Sequence, residues 1–172
     1  ANVLLNELNI WDAEYLAKRT NGPALVDSET GRILRQPDTN KAMFMDADGV
    51  AKPYNETTSP QLEGTFQIDG RTYRTAFDVY REHMLAYTPE YQESITTVPA
   101  ATIRKVAKEF GEAARIGETI EIDGVTMPYR PACADLFSGV SRHKHSMLSN
   151  IAIMQLNVLV AECLGALIGK LE

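Results

Sequence analysis

The chain has 172 residues, 44% of them hydrophobic and 23% charged, the make-up of a globular domain able to bury a core. Its formal net charge of −6 and pI near 5.1 exclude a surface that binds nucleic acid as a whole, because phosphate neutralisation needs a net basic face. Cys133 and Cys163, the only cysteines, lie thirty positions apart, which excludes a disulfide framework and a Cys-x-x-Cys metal or redox site.

In chain order, the region from about Val3 to Lys18 reads as a helix, with Leu4, Leu5, Leu8, Trp11, Tyr15 and Leu16 at three- and four-residue intervals. Asn21-Gly22-Pro23 stops it. Ala24-Leu-Val, Arg32-Ile-Leu-Arg and Ala42-Met-Phe-Met are short strand candidates, separated by the turn clusters Ser28 to Gly31 and Pro37 to Asn40. Asp46-Ala-Asp-Gly opens like a calcium loop but lacks the later oxygens and terminal Glu, so it reads as a turn. Pro53 to Pro60, polar and without periodicity, is expected to be a mobile loop.

Two Asp-Gly pairs, Asp69-Gly70 and Asp123-Gly124, sit between alternating apolar residues and predict hairpins over Thr65 to Arg74 and Thr119 to Met127. Ala76 to Ala86 is helical in pattern. A further helix opens with Thr88 as its cap and Pro89 at its first position. Over Pro99 to Arg115, Ile103, Val106, Ala107, Phe110 and Ala114 form an apolar stripe opposite Arg104, Lys105, Lys108, Glu109 and Glu112, ending at Gly117. Pro131 to Phe137 reads as an apolar strand, with Cys133 as a small buried hydrophobe, leading through Ser138-Gly139 into a helix that starts near Lys144 to Ser146. The apolar region Met147 to Ile168 is interrupted by Ser149, Asn150, Gln155, Asn157 and Glu162, which predicts a helix buried on most sides rather than a membrane span.

The fold class predicted is α/β: a mixed sheet flanked by helices, with an irregular β region in the first half. One partial domain is expected over 1–172, with a helix and β meander in 1–75 and helices, hairpin and strand-loop-helix in 76–172.

The loop Gly139-Val-Ser-Arg-His-Lys-His-Ser concentrates donors at a helix start. There Arg142 and Lys144 supply charge, Ser141 or Ser146 a hydroxyl, and the helix its free first-turn amides, which together suit an anion such as a phosphate. The same residues also read as a solvated basic loop with a serine cap, since no Walker-type or dinucleotide glycine spacing is present. His143 and His145 could share one side of a strand and take His83 as a third metal ligand, although no Asp, Glu or Cys stands at ligand spacing from the pair. No Gly-x-Ser-x-Gly elbow or cysteine signature points to a self-contained nucleophilic enzyme.

Four stretches resemble one enzyme family, the catalytic chains of the molybdopterin oxidoreductases of the dimethyl sulfoxide reductase type. They are Asp12 to Val26, Tyr87 to Phe110, Pro128-Tyr-Arg-Pro-Ala, and Gly139 to His143 with the helix to Asn157. The resemblance implies an internal portion of a much longer chain and a bis(molybdopterin guanine dinucleotide) cofactor holding molybdenum or tungsten. It implies two-electron or oxygen-atom-transfer chemistry, with an iron–sulfur cluster and the metal's protein ligand upstream. The partners it implies are the rest of the catalytic subunit, together with an iron–sulfur electron-transfer subunit, with no nucleic acid and no direct membrane span.

On that resemblance Gly139, Ser141, Arg142, His143 and Lys144 are cofactor-binding. The cations and His143 would meet phosphate, pterin or substrate, and Gly139 would admit a close backbone approach. The residues from Val158 onward depart from the family's Gly-Gly turn, and Lys144-His-Ser replaces its Asn-Gly type of loop ending. The alternative reading is a noncatalytic binding or assembly module on the same scaffold. The compartment, periplasmic or cytoplasmic, stays open.

Overall fold

The structure, a computed structural model, describes residues 1–136 and 138–161. Helices and short strands alternate along it in an α/β arrangement, with the strands distributed over three small antiparallel sheets among the described residues. Two compact units divide the chain: Ala13–Ala86, and Ala1–Asp12 together with the residues from Tyr87 onward.

In the unit Ala13–Ala86, α1 (Ala13–Arg19) precedes β1 (Leu25–Asp27), β2 (Met43–Met45), β3 (Ala51–Pro53), β4 (Thr65–Ile68), β5 (Arg71–Thr75) and α2 (Ala76–Met84). The sheet runs β1-β5-β4 and β2 pairs with β3. Leu25, Met45 and Tyr73 form the buried core, with Leu34 and Phe66 packed against it. The β4–β5 hairpin turns at Asp69 and Gly70 with φ of 50° and 75°, the double left-handed turn that an Asp-Gly pair favours. Arg32 to Arg35 supplies only isolated bridges, Val26 to Ile33 and Arg35 to Ala42.

The loop expected to be mobile is tied down by Asp46. Its Oδ1 accepts from the Ser59 amide at 2.8 Å and its Oδ2 from Lys52 Nζ at 2.7 Å. Lys52 also reaches Asp48 at 2.5 Å. The Lys52 ammonium holds the Asp46 carboxyl far below the usual carboxylate range, helped by the Ser59 and Ala47 amides, and it lowers Asp48 as well.

The other unit begins with a π-helical turn, Val3–Leu8, whose Val3, Leu4 and Leu5 are buried. The single helix predicted over Val3 to Lys18 is therefore broken. Asn9 adopts the left-handed conformation at φ 55° and returns its amide to the Leu4 carbonyl, a role Asn tolerates better than branched residues. Then come α3 (Pro89–Thr96), capped by Thr88 Oγ1 accepting from the Tyr91 amide, and α4 (Ala100–Ala113).

Gly111 of α4 lies close to the π-turn, where an added Cβ would stand 2.9 Å from Leu4 Cδ2 and 3.1 Å from Ile10. Arg104 of α4 ties the π-turn and α3 to it, with Glu7 at 2.8 Å and Glu90 at 2.5 Å. α4 ends with Arg115 left-handed at φ 49°, two residues before Gly117. β6 (Thr119–Ile122) and β7 (Val125–Pro128) form the second Asp-Gly hairpin, and α5 (Ser138–Ser141) and α6 (Ser146–Leu159) are the last elements of the unit among the described residues.

Three expectations for this region are corrected. Residues 131–136 form no strand, and Phe137 lies outside the described residues. The segment pairs instead with a side chain: the Ala134 amide donates to Asn157 Oδ1 (2.8 Å) and Asn157 Nδ2 donates to the Ala134 carbonyl (2.9 Å). With no sheet to cover it, Cys133 is exposed rather than buried. α6 is not buried on most sides; Met147 and Leu148 are 73% and 68% exposed. Cys163 and Glu162 fall outside the described residues.

Candidate functional site: a basic loop ahead of α6

Two anchors position the loop. Upstream, Arg130 leaves the β6–β7 hairpin and bonds Asp12 Oδ2 through Nη2 at 2.6 Å, while its Nη1 donates to the carbonyls of Arg115, Glu118 and Tyr129. Both side chains of this pair are about nine-tenths buried, at 10% and 9% exposure. The Arg115 guanidinium lies 5.6 Å from the Tyr129 ring centroid, within cation–π range. Downstream, the Asn157 amide fixes residue 134 as though it were a strand partner. Between these anchors the chain runs through 131–136 into α5 and the loop 142–145.

Gly139 and Ser141 lie in α5, and Arg142, His143 and Lys144 follow consecutively on the exposed loop. The structure therefore places all five sequence-selected residues together, as their adjacency dictates. Neither Arg142 nor Lys144 forms an ion pair among the described residues, although the other arginines of this unit do or bond carbonyls. The His145 amide donates to His143 Nδ1 at 3.2 Å, so a neutral His143 carries its proton on Nε2 and keeps an N–H donor.

α6 starts with His145 at its cap position and no side-chain cap bond, leaving first-turn amides that an anion could satisfy. Ser146 and Ser149 donate their amides to the carbonyls of His143 and His145, and Asn150 Nδ2 lies 3.4 Å from Ser141 Oγ. Asn150 Oδ1 is buried and has no hydrogen-bond partner among the described residues. Gly139 has no positive φ, and nothing stands within 4 Å of where a Cβ would be. The chain's own packing does not require glycine there.

Sequence reasoning selects the loop but misses its anchors. Asn157 is one of five polar residues of α6, with Ser146, Ser149, Asn150 and Gln155, so the pattern alone marks it only as an interruption. Arg130 and Asp12 are 118 positions apart and leave no local signature of pairing. No group of three His, Cys, Asp or Glu side chains able to hold a metal ion occurs among the described residues. The described residues include no helix long and apolar enough to cross a membrane.

Two clefts lie elsewhere. One of about 580 Å³ in the unit Ala13–Ala86 is lined by Lys18, Arg19, Phe44 and Tyr54 among others. One of about 530 Å³ beside α4 is lined by Leu4, Ile103, Val106, Phe110 and Leu156 among others. Neither includes the loop residues.

No protein-family model matches the sequence. Curated relatives do. A sulfite dehydrogenase subunit of Allochromatium vinosum is 30% identical over 122 residues, covering 62% of this chain and 13% of that protein. A putative dimethyl sulfoxide reductase catalytic subunit of Halobacterium salinarum is 32% identical over 108 residues, covering 56% and 13%. The alpha subunit of the respiratory nitrate reductase of Haloferax mediterranei is 26% identical over 145 residues, covering 66% and 15%. The chain thus spans about one seventh or less of the length of these proteins.

Proposed function

This chain is a relative of the molybdopterin oxidoreductase catalytic subunits, and on that premise we propose that it is an internal portion of such a subunit, forming as a partial domain one wall of the cofactor site. The observation that carries the reading is the run Arg142-His143-Lys144, which has no ion-pair partner among the described residues and lies ahead of an α6 start without a side-chain cap.

The residues fit a phosphate-bearing cofactor in kind. Arg142 offers a planar fork suited to phosphate and Lys144 a point charge. His143 offers an Nε2–H donor, and the exposed Ser141 a hydroxyl. Gly139 presents backbone with open space beside it, where a bound group could approach closely. When bound, a bis(molybdopterin guanine dinucleotide) holding molybdenum or tungsten supplies two-electron or oxygen-atom-transfer chemistry, and the protein contributes binding, orientation and electrostatics.

On this reading Arg142 and Lys144 neutralise phosphate charge and His143 orients a pterin or substrate oxygen by donating from Nε2. The Asn157 amide and the Arg130–Asp12 pair hold the loop's two ends. An iron–sulfur cluster and the metal's protein ligand belong to an upstream part of the polypeptide, and electrons leave through an iron–sulfur subunit. The 172 residues alone are inactive.

The test is the double substitution Arg142→Ala with His143→Ala in the full-length enzyme. Metal and pterin content, or turnover, should fall while the melting temperature stays. Unchanged metal content and rate would sink the site assignment.

A further inference from the structure

α1 runs out into Lys18-Arg19-Thr20-Asn21, the loop after β3 opens with Tyr54, and a cleft of about 580 Å³ is lined from both, with Phe44 of β2. That volume lies within the range of small-molecule sites. The chain carries a net charge of −6, yet the lining includes two cations and no Asp or Glu. The two cations differ. Lys18 donates to Glu14 at 2.8 Å, so its charge is already matched, whereas Arg19 is exposed and forms no ion pair or side-chain hydrogen bond among the described residues. One uncompensated guanidinium suits a monoanion, and its planar fork matches a carboxylate in a two-point contact.

The threonine hydroxyls of the lining are engaged elsewhere. Thr20 Oγ1 donates to the Leu16 carbonyl at 2.6 Å, Thr57 Oγ1 to the Pro53 carbonyl at 3.0 Å and Thr58 Oγ1 to Asp46 Oδ2 at 3.3 Å. These bonds, with the Ser59 amide on Asp46 at 2.8 Å, hold the walls before any ligand arrives, so little ordering is left to oppose binding. The donors still open among the described residues are the Arg19 guanidinium, the exposed Asn21 amide and the Tyr54 hydroxyl. Tyr54 is 54% exposed, and its ring centroid stands 6.3 Å from that of the buried Phe44 with the planes tilted by 49°. A third ring beside this pair would extend it in the offset or edge-on geometry that aromatic rings prefer.

We propose that this cleft binds a small aromatic monocarboxylate, with Arg19 taking the carboxylate in a forked contact and Tyr54 with Phe44 taking the ring. Phosphate is the poorer fit, because its second charge finds no open cation in the described lining and it offers no apolar surface to the rings.

The test is equilibrium dialysis of the full-length protein against cinnamate, cinnamyl alcohol and inorganic phosphate, with amide exchange to locate the ligand. Cinnamate should bind with a Kd below about 1 mM and slow exchange over 17–21 and 54–60. Cinnamyl alcohol, the same skeleton without the charge, should bind at least about tenfold more weakly, as should cinnamate to Arg19→Gln. Tyr54→Ala should weaken cinnamate about threefold to tenfold. Arg32→Gln removes an exposed arginine outside the lining and should leave the Kd within about twofold.

Acid and alcohol are compared on the unaltered protein, so the charge preference is read even where a variant folds poorly. Equal affinity for the two would overturn the proposal. So would full affinity in Arg19→Gln or Tyr54→Ala, displacement of cinnamate by equimolar phosphate, or protection confined to residues outside the two stretches.

Discussion

Arg130 and Arg142 stand twelve residues apart in one unit and have opposite circumstances. Arg130 is about nine-tenths buried, with Asp12 and three carbonyls around it. Arg142 is exposed and forms no ion pair among the described residues. A cation satisfied within its own chain is a structural part, because desolvating it is tolerable only with partners at hand. One held on an anchored loop without them is free to meet an anion that the chain does not supply. The positions of the two arginines therefore separate what the fold needs from what a ligand would use, and substitutions should separate them as well.

The largest effect is expected at the buried corner. Arg130→Met leaves Asp12 buried without its cation and should cost about 3–5 kcal/mol of stability, read as a lowered denaturation midpoint; a loss below about 1 kcal/mol would show that the pair is dispensable. Next comes Asn157→Leu, which removes the partner of the part-buried Ala134 amide and carbonyl and should cost about 1–3 kcal/mol in all. It should also loosen the loop, visible as faster amide exchange over 131–145.

Acid tests the same distinction in the unit Ala13–Ala86. The Asp46, Asp48 and Asp27 carboxyls are held below their ordinary range, the first two chiefly by Lys52 and the third chiefly by the Thr30 amide. A lowered folded-state pKa means stability that is present above the unfolded value of about 4 and is lost as pH falls below it. The melting temperature should decline from about pH 5 toward about pH 2, and Asp46→Asn should flatten much of that decline. A slope unchanged by the substitution would remove Asp46 from the account.

The smallest stability effects belong to the loop. Arg142→Ala and Gly139→Ala should each shift stability by less than about 0.5 kcal/mol, and Gly139→Ala finds open space for its Cβ. A large loss at either would mean that the loop serves the fold after all.

Much of this architecture is legible in the sequence because its signals are local. Asp69-Gly70 and Asp123-Gly124 both form left-handed turns, Thr88 and Pro89 open α3 as a cap and first residue should, and the amphipathic stripe of α4 marks its extent to within two residues. What escapes is tertiary. Nothing near Asn9 marks the break of the first helix, since neither Gly nor Pro is there. The apolar composition of 131–136 suggests a strand, but its hydrogen bonds go to an amide side chain 23 residues away. The apolar composition of α6 suggests burial on most sides, but only its end with Asn157 and Leu159 is buried, while Met147, Leu148, Ile151 and Met154 are exposed. Of the candidate site, the cations can be seen in the sequence and the two anchors that hold them cannot.

The account stands most directly on the composition of the protein as it occurs in its source. Intact mass, molybdenum and tungsten content and pterin fluorescence should be measured on one native preparation. A polypeptide several times heavier than 19.1 kDa, carrying pterin with molybdenum or tungsten, is the predicted result. A metal-free and pterin-free species of 19.1 kDa would contradict it and leave the cofactor-free assembly module in its place.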